Sequence, residues 1–203
     1  MYQDEINKYI KKHTIFSSRE LQDKIGLSDK QKAVLNTELT RFEKKGVIIR
    51  IAHGIYAVPI VSCFGVTPPN ENAIANKIYL EKESGYASGP TFLNQIGIST
   101  WMPQKTFIKS NAYKKEIGLK SFVVEAPKTI INKNNYRYLQ LLDAIEDLQK
   151  FAVDNENPLK LLYEYILANE LDTTKLLIIA NKFYKPAVQK TLFEMMGKYY
   201  DVA

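Results

Sequence analysis

The order of secondary structure is set by residues 17–59, SSRELQDKIGLSDKQKAVLNTELTRFEKKGVIIRIAHGIYAVP. Ser17, followed three residues later by Glu20, forms the capping-box pattern that marks the beginning of a helix. Glycine is common just after the last turn of a helix, so Gly26 predicts where this helix ends. Upstream, residues 2–13 carry apolar side chains at helical spacing, with acidic residues early and basic residues late, which predicts a preceding helix.

A third helix is predicted over residues 29–45, directly after the short link GLSD. Ser28 and Gln31 repeat the capping pattern at its start, and Gly46 follows its last two lysines. Two helices joined by so short a link are typical of a helix-turn-helix. The second and third helices are therefore predicted to form this motif.

Two short runs rich in β-branched and aromatic residues follow the third helix, VIIRI at 47–51 and IYAV at 55–58. Gly54, which lies between them, tolerates the positive φ of a tight turn, so the runs predict a two-stranded hairpin. Pro59 ends the pattern. Residues 1–60 are therefore predicted to form a winged helix-turn-helix DNA-binding domain.

A larger domain is predicted over residues 61–203, beginning with a linker that contains glycine and proline. Its first part, about 70–127, combines helix-capping residues with extended runs at 105–109 and 120–127. Its second part, about 134–203, has apolar side chains at helical spacing and predicts a bundle. The predicted fold class is α+β, with an N-terminal winged helix-turn-helix followed by a larger mixed α/β domain with a helical C-terminal bundle.

The composition excludes several classes of protein. The 203 residues are 45% hydrophobic and 25% charged, which is typical of a globular chain rather than a disordered one. The single cysteine, Cys63, excludes an intramolecular disulfide, and with only two histidines no metal or other cofactor is expected. The chain has no apolar run for a signal peptide or a membrane span, so a cytoplasmic protein without membrane contact is expected.

The predicted third helix has an apolar side and a polar side. Leu35, Leu39 and Phe42 cluster on one side of the helical wheel, which is predicted to pack on the other two helices. The opposite side combines long hydrogen-bond donors with small or hydroxyl side chains, so it can enter a DNA major groove closely. The DNA-binding residues predicted on this helix are Lys30, Ala33, Asn36, Thr37, Thr40, Arg41, Lys44 and Lys45.

Five further residues are predicted to contact the DNA backbone rather than its bases, because helix N-termini and basic wings commonly bind phosphate. They are Ser17, Ser18 and Arg19 at the start of the second helix, and Arg50 and His53 in the wing. The net charge of +6 supports this prediction, since the first 60 residues carry 11 basic and 7 acidic side chains. Two alternatives stay open: an ordinary solvated basic face, or a winged helix that binds protein.

No catalytic motif is recognisable. An enzyme needs a nucleophile with a base, paired carboxylates or a phosphate loop at useful spacing, and the sequence offers none. The nearest candidate is the acidic group Asp143, Glu146 and Asp147, which the helical wheel assigns to a solvated face. Cys63 is predicted to be a buried or half-buried small residue rather than a reactive thiol. The chain is therefore expected not to be an enzyme.

Three segments carry a family resemblance: HGIYAVP (53–59), NAIANKI (72–78) and GYASGPTFLNQIGIST (85–100). In this order, they resemble the AbiEi-type antitoxins of bacterial abortive-infection systems, over most of residues 1–150. Physically, the third segment is a folding signature, in which Gly85 permits a turn and Ser88 caps a helix.

The resemblance implies an antitoxin of a type IV toxin-antitoxin system for phage defence. Such a protein represses its own operon by binding inverted repeats in the promoter, and it counteracts a nucleotidyltransferase-like toxin without requiring a stable complex. The resemblance transfers no catalytic residue. The alternative is a winged-helix regulator whose C-terminal domain senses a ligand or a protein partner, with no toxin. A nuclease is disfavoured because the acidic and histidine residues of a metal-dependent site are missing.

Overall fold

The computed structural model describes residues 2–63, 65–114 and 117–199. Met1, Phe64, residues 115–116 and residues 200–203, which the predicted domains include, lie outside the described residues. The chain forms two compact units, which we call the first unit (residues 2–78 and 117–119) and the second unit (residues 79–114 and 120–199). Both combine helices with small sheets, so the predicted α+β class is confirmed. The predicted domain boundary at residue 60 stays a prediction.

The first unit begins with three helices and a three-stranded antiparallel sheet. In chain order these elements are α1 (Tyr2–Ile10), β1 (Ile15–Ser17), α2 (Ser18–Lys24), a 3₁₀ turn (Asp29–Gln31), α3 (Lys32–Lys44), β2 (Ile49–Ala52) and β3 (Ile55–Ala57). The strand order is β1-β3-β2, so β3 lies in the centre. Between the helices and the sheet lies a core in which Ile6, Phe16, Leu21, Leu39 and Ile48 are fully buried.

The predicted helices and hairpin are present, with three differences in detail. Helix α1 ends at Ile10 rather than His13, and the predicted third helix begins as a 3₁₀ turn before α3. Strand β1 was not predicted, because a three-residue strand is too short for an alternating pattern to show. It pairs with β3 with Phe16 opposite Tyr56, and thereby attaches the start of α2 to the hairpin.

The segment predicted as a linker is instead a hairpin of strands β4 (Ile60–Ser62) and β5 (Gly65–Thr67). Cys63 lies at its turn and is exposed, so the prediction of a buried or half-buried cysteine is wrong. Helix α4 (Glu71–Ala75) follows, capped by the Asn70 side chain, which accepts a hydrogen bond from the Ala73 N–H at 2.8 Å. A π-helical turn continues over Asn76–Leu80.

The second unit combines a small sheet with five α-helices among the residues described, and the sheet contacts α5 and α6. Its elements are β6 (Gly85–Ala87), α5 (Gly89–Gln95), β7 (Thr106–Ser110), β8 (Phe122–Glu125), α6 (Tyr136–Asp147), α7 (Pro158–Ala168), α8 (Thr173–Phe183) and α9 (Pro186–Tyr199). Strand β7 is central, antiparallel to β6 and parallel to β8. The predicted extended runs and the C-terminal helices are thus confirmed.

Gly85 does not form the predicted turn but lies in strand β6. A β-carbon there would lie 2.2 Å from the carbonyl oxygen of Tyr79, so only glycine allows this close approach of two backbone segments. Ser88 occupies the cap position of α5, but its buried hydroxyl forms no hydrogen bond within the described residues. The capping role predicted for its side chain is therefore wrong.

Helix α6 is the centre of the second unit, because it contacts α5, α7, α8, α9 and β6. As a result Asp143 and Asp147 are 1% and 4% exposed, and the prediction that they lie on a solvated face is wrong. A wheel assigns the least apolar side to solvent, but a helix surrounded by neighbours buries polar side chains as well.

Asp143 is the centre of a buried polar network. Its carboxylate lies 2.9 Å from the Lys109 ammonium and accepts hydrogen bonds from the hydroxyls of Tyr86 at 2.6 Å and Tyr184 at 3.0 Å. Burial, and then the negative charge of Asp143, raise the pKa of both tyrosines far above the ordinary value. The phenols therefore stay protonated and act as donors, which compensates the burial of the carboxylate.

Within the part of the chain that the structure describes, the helices are all too short or too polar to span a lipid bilayer.

Candidate nucleic-acid interface

The start of α2 is held by a complete capping box. The Glu20 N–H donates to Ser17 Oγ at 3.1 Å, and the Ser17 N–H donates to Glu20 Oε2 at 2.9 Å. Lys77 forms a further ion pair with Glu20 at 2.8 Å. Burial of Glu20 opposes its ionisation, but the hydrogen bonds from Lys77 and Ser17 outweigh burial, so the pKa of Glu20 is lowered. The first turn of α2 is therefore stabilised by a carboxylate that stays ionised.

The turn between β2 and β3 lies directly on the start of α2. The Ser18 N–H donates to the Gly54 carbonyl oxygen at 2.8 Å. Gly54 has a φ of +68°, and a β-carbon there would lie 3.2 Å from Ser18 Oγ. Beside it, the guanidinium of Arg50 lies 3.1 Å from Nδ1 of His53. The two separate groups of residues predicted to contact phosphate are thus adjacent in the structure.

A groove of about 470 Å³ lies between the start of α2, one side of α3 and the β2–β3 hairpin; we call it the α2–α3 groove. It is lined by Ser17, Ser18, Arg19, Lys32, Asn36, Thr40, Arg50, His53, Gly54, Ile55 and Tyr56. Seven of the thirteen predicted DNA-binding residues therefore meet in one depression.

Lys32, which is not among the predicted residues, lines the α2–α3 groove at the beginning of α3. The signal was the spacing of Lys32, Asn36 and Thr40, because residues four apart lie on one side of a helix. The DNA-binding face predicted from the helical wheel was centred on the neighbouring stripe of α3, so it did not include Lys32.

The other six predicted residues are exposed but do not line the groove; they are Lys30, Ala33, Thr37, Arg41, Lys44 and Lys45. Two of these side chains already have partners within the chain. The Thr37 hydroxyl donates to the Ala33 carbonyl oxygen at 3.0 Å, and Arg41 forms an ion pair with Glu38. Helix α3 therefore presents two neighbouring stripes, one that lines the groove and one that projects beyond it.

The charge of the α2–α3 groove suits an anion. Arg19, Lys32 and Arg50 contribute three cations, and the described residues that line it include no carboxylate. The serine hydroxyls and the amide of Asn36 add uncharged hydrogen-bond donors. A phosphate placed in this groove would be contacted by charged and neutral donors from three separate elements.

These features define an α+β protein with a cationic groove on its first unit. The chain belongs to the DUF6088 family, a family of unknown function, whose model matches residues 4–175. The match spans both compact units. No curated protein matches the chain. Because the description of the family names no activity, the resemblance to AbiEi-type antitoxins stays a prediction.

Proposed function

We propose that the first unit is a winged helix that binds double-stranded DNA, and that the chain is a cytoplasmic transcriptional repressor. The observation that carries this proposal is the α2–α3 groove, where the start of α2, the polar side of α3 and the β2–β3 turn converge. The element order from α1 to β3 and the three-stranded antiparallel sheet support this proposal, because a helix-turn-helix followed by a hairpin can place a recognition helix beside a wing.

The two stripes of α3 have different roles in this proposal. The groove stripe holds a backbone phosphate together with Arg19 and Arg50, and so positions the duplex. The projecting stripe, which includes Ala33 and Thr37, enters the major groove, because small side chains there allow close approach. Asn36 lies on the groove stripe next to Thr37 of the projecting stripe, and its amide suits adenine.

The proposal is tested by titrating the full chain against a duplex taken from its own upstream region and against a scrambled duplex of equal composition. The double variant Arg19→Ala, Arg50→Ala should bind DNA at least about tenfold more weakly. The slope of log affinity against log salt concentration should decrease by the amount expected for about two lost phosphate contacts. Fluorescence anisotropy over a series of salt concentrations measures both quantities.

A matched control is the double variant Lys160→Ala, Lys190→Ala, which removes the same charge from exposed lysines of the second unit. It should bind DNA like the wild type. Equal losses in the two double variants would contradict the proposed site. Equal affinity of the wild type for both duplexes would contradict the proposed role as a repressor, because phosphate contacts alone do not read sequence.

The antitoxin role is a second, separate part of the proposal and is supported by the family resemblance. In this role, the first unit represses the chain's own operon. The remainder of the chain counteracts a nucleotidyltransferase-like toxin without a catalytic step. In co-expression with a neighbouring toxin gene, the full chain and its Arg19→Ala, Arg50→Ala variant should both restore growth. An unrelated gene in that neighbouring position would favour the alternative, a regulator that senses a ligand or a protein partner.

A further inference from the structure

A carboxylate lies directly beside the α2–α3 groove. Ser17, Ser18 and Arg19 line the groove, and Glu20 is the next residue along α2. Glu20 Oε2 accepts a hydrogen bond from the Ser17 N–H at 2.9 Å, so its negative charge lies against the backbone of a residue that lines the groove. Interactions between charges extend over about 10 Å at 0.1 M salt. A phosphate at the start of α2 is therefore repelled by the Glu20 carboxylate unless a cation compensates it.

The capping function of Glu20 does not need this charge. Glutamine closes a capping box as glutamate does, because its side-chain oxygen also accepts the backbone N–H. The same chain shows this at the 3₁₀ turn, where Gln31 accepts a hydrogen bond from the Ser28 N–H at 3.1 Å. The charge of Glu20 is thus an addition to its capping role, and it needs a separate explanation.

Lys77 compensates the charge of Glu20. Its ammonium donates to Glu20 Oε1 at 2.8 Å, which leaves Oε2 to the Ser17 N–H. The two side chains are only 20% and 27% exposed. Because the pair is partly buried, salt and water screen it less than they screen an exposed pair. The carboxylate and the ammonium therefore act on the groove together, with their charges opposed.

Lys77 lies outside residues 1–60, the range predicted to form the DNA-binding domain. It belongs to the first unit and lies on the π-helical turn Asn76–Leu80, which follows α4. Ile74 and Ile78 of this segment are buried, so the backbone that carries Lys77 is held in place. Turns of π-helix are uncommon and frequently occur at functional sites. This segment brings a cation to the start of α2 from 57 residues away.

We propose that Lys77 is a positioning residue of the α2–α3 groove, whose ammonium neutralises the Glu20 carboxylate so that a phosphate binds at the start of α2. With this pair closed, Arg19, Lys32 and Arg50 attract the phosphate without opposition from Glu20. The role rests on the proposed function, because it concerns DNA bound in that groove. It extends the DNA-binding unit from the β2–β3 hairpin to residue 77.

Fluorescence anisotropy of the full chain with the upstream duplex tests this role. Lys77→Met should bind about fivefold more weakly at about 0.1 M salt, because the exposed charge of Glu20 offsets part of one phosphate contact. The double variant Lys77→Met, Glu20→Gln should bind like the wild type, because it removes both charges and keeps the cap. Lys77→Arg, which keeps the cation, should also bind like the wild type.

Further measurements separate neutralisation from a purely structural role. The loss of affinity in Lys77→Met should shrink as the salt concentration rises, whereas a loss caused by altered structure stays constant. A double variant that binds as weakly as Lys77→Met would overturn the proposal. Glu20→Gln alone should bind at least as tightly as the wild type, and this measurement does not depend on the folding of Lys77→Met. Weaker binding by Glu20→Gln with an unchanged circular dichroism spectrum would also overturn the proposal.

Lys24→Met is the matched control, because Lys24 is exposed and lies at the opposite end of α2, away from the residues that line the groove. It removes the same charge and should change DNA affinity by less than about twofold. All variants are titrated well below the lowest unfolding midpoint among them. Equal losses of affinity in Lys24→Met and Lys77→Met would mean that net charge alone matters, and the role of Lys77 would be rejected.

Inorganic tripolyphosphate tests the groove without DNA. A ligand that binds the folded state raises the unfolding midpoint, so tripolyphosphate should raise the midpoint of the wild type more than that of Lys77→Met. If the wild type responds to tripolyphosphate but does not bind the duplex, the DNA-binding proposal fails. A smaller response of Lys77→Met then supports the role of Lys77, and an equal response overturns it. If the wild type binds the duplex and Lys77→Met binds it equally well, the role of Lys77 fails alone.

Discussion

The Ser18 N–H donates to the Gly54 carbonyl oxygen over 2.8 Å, so the first residue of α2 is joined to the turn of the β2–β3 hairpin. This bond sets the distance between the residues at the start of α2 and those in the turn, including Arg19 and His53. Because both elements line the α2–α3 groove, the shape of the groove depends on this contact. A change at Gly54 should therefore alter binding as well as stability.

Gly54→Ala should lower the free energy of unfolding by about 1 kcal/mol, because an L-residue at positive φ is strained. It should also weaken DNA binding, since its β-carbon would lie 3.2 Å from Ser18 Oγ and move the turn away from α2. Urea unfolding and anisotropy titration measure the two effects. Gly26→Ala is the matched control, with the same φ of +68° and no atom near the added carbon. A similar loss of DNA affinity in both variants would argue against a specific role for the turn.

Lys32→Ala and Lys30→Ala remove the same charge from residues two apart, but only Lys32 lines the α2–α3 groove. Lys32→Ala should lower DNA affinity severalfold and weaken the salt dependence by about one phosphate contact, while Lys30→Ala should have a smaller effect. Anisotropy titrations at several salt concentrations measure both. If Lys30→Ala has the larger effect, the phosphate contact lies at the 3₁₀ turn before α3 rather than in the α2–α3 groove.

Lys109→Met should destabilise the second unit by about 3 kcal/mol, because it leaves the buried Asp143 carboxylate without its cation. The tyrosine hydroxyls still donate to Asp143 but do not neutralise it. The measurement is urea unfolding at neutral pH. Lys160→Met breaks an exposed pair with Glu164 and should cost less than about 0.5 kcal/mol. If the two variants lose similar amounts of unfolding free energy, the buried pair of Lys109 and Asp143 stabilises the protein no more than an exposed pair does.

The ion pair between Lys77 and Glu20 should make the stability of the first unit depend on pH in the acid range. The folded-state pKa of Glu20 is lowered, so its contribution is fully present above the ordinary pKa of glutamate and is lost as pH falls through the folded-state value. Lys77→Met should therefore differ most from the wild type near neutral pH and least in acid. Urea unfolding at a series of pH values tests this difference.

Lys190→Met, which breaks an exposed pair with Glu194, is the control for that series and should show little change with pH relative to the wild type. If Lys77→Met lowers the free energy of unfolding by the same amount from acid to neutral pH, the ion pair does not make stability depend on pH.

Local patterns predicted the helices of the first unit well, because their start signals are formed by residues only three apart. The capping box of Ser17 and Glu20 is present as predicted, and Gln31 accepts a hydrogen bond from the Ser28 N–H at 3.1 Å. The strands that escaped prediction, β1, β4, β5 and β6, are each three residues long, and strands this short show no periodicity. Strands β1 and β6 form because β3 and β7 lie beside them, and these partners are distant along the chain.

The sequence by itself determined the order of the first three helices and of the β2–β3 hairpin, since helix caps, turns and side-chain periodicity depend on neighbours along the chain. Only the tertiary structure decided that Lys32 joins Arg19 and Arg50 in one groove, that Asp143 is buried, and that the β4–β5 hairpin is exposed. Each of these depends on which distant segments pack together, and burial and proximity are properties of that packing.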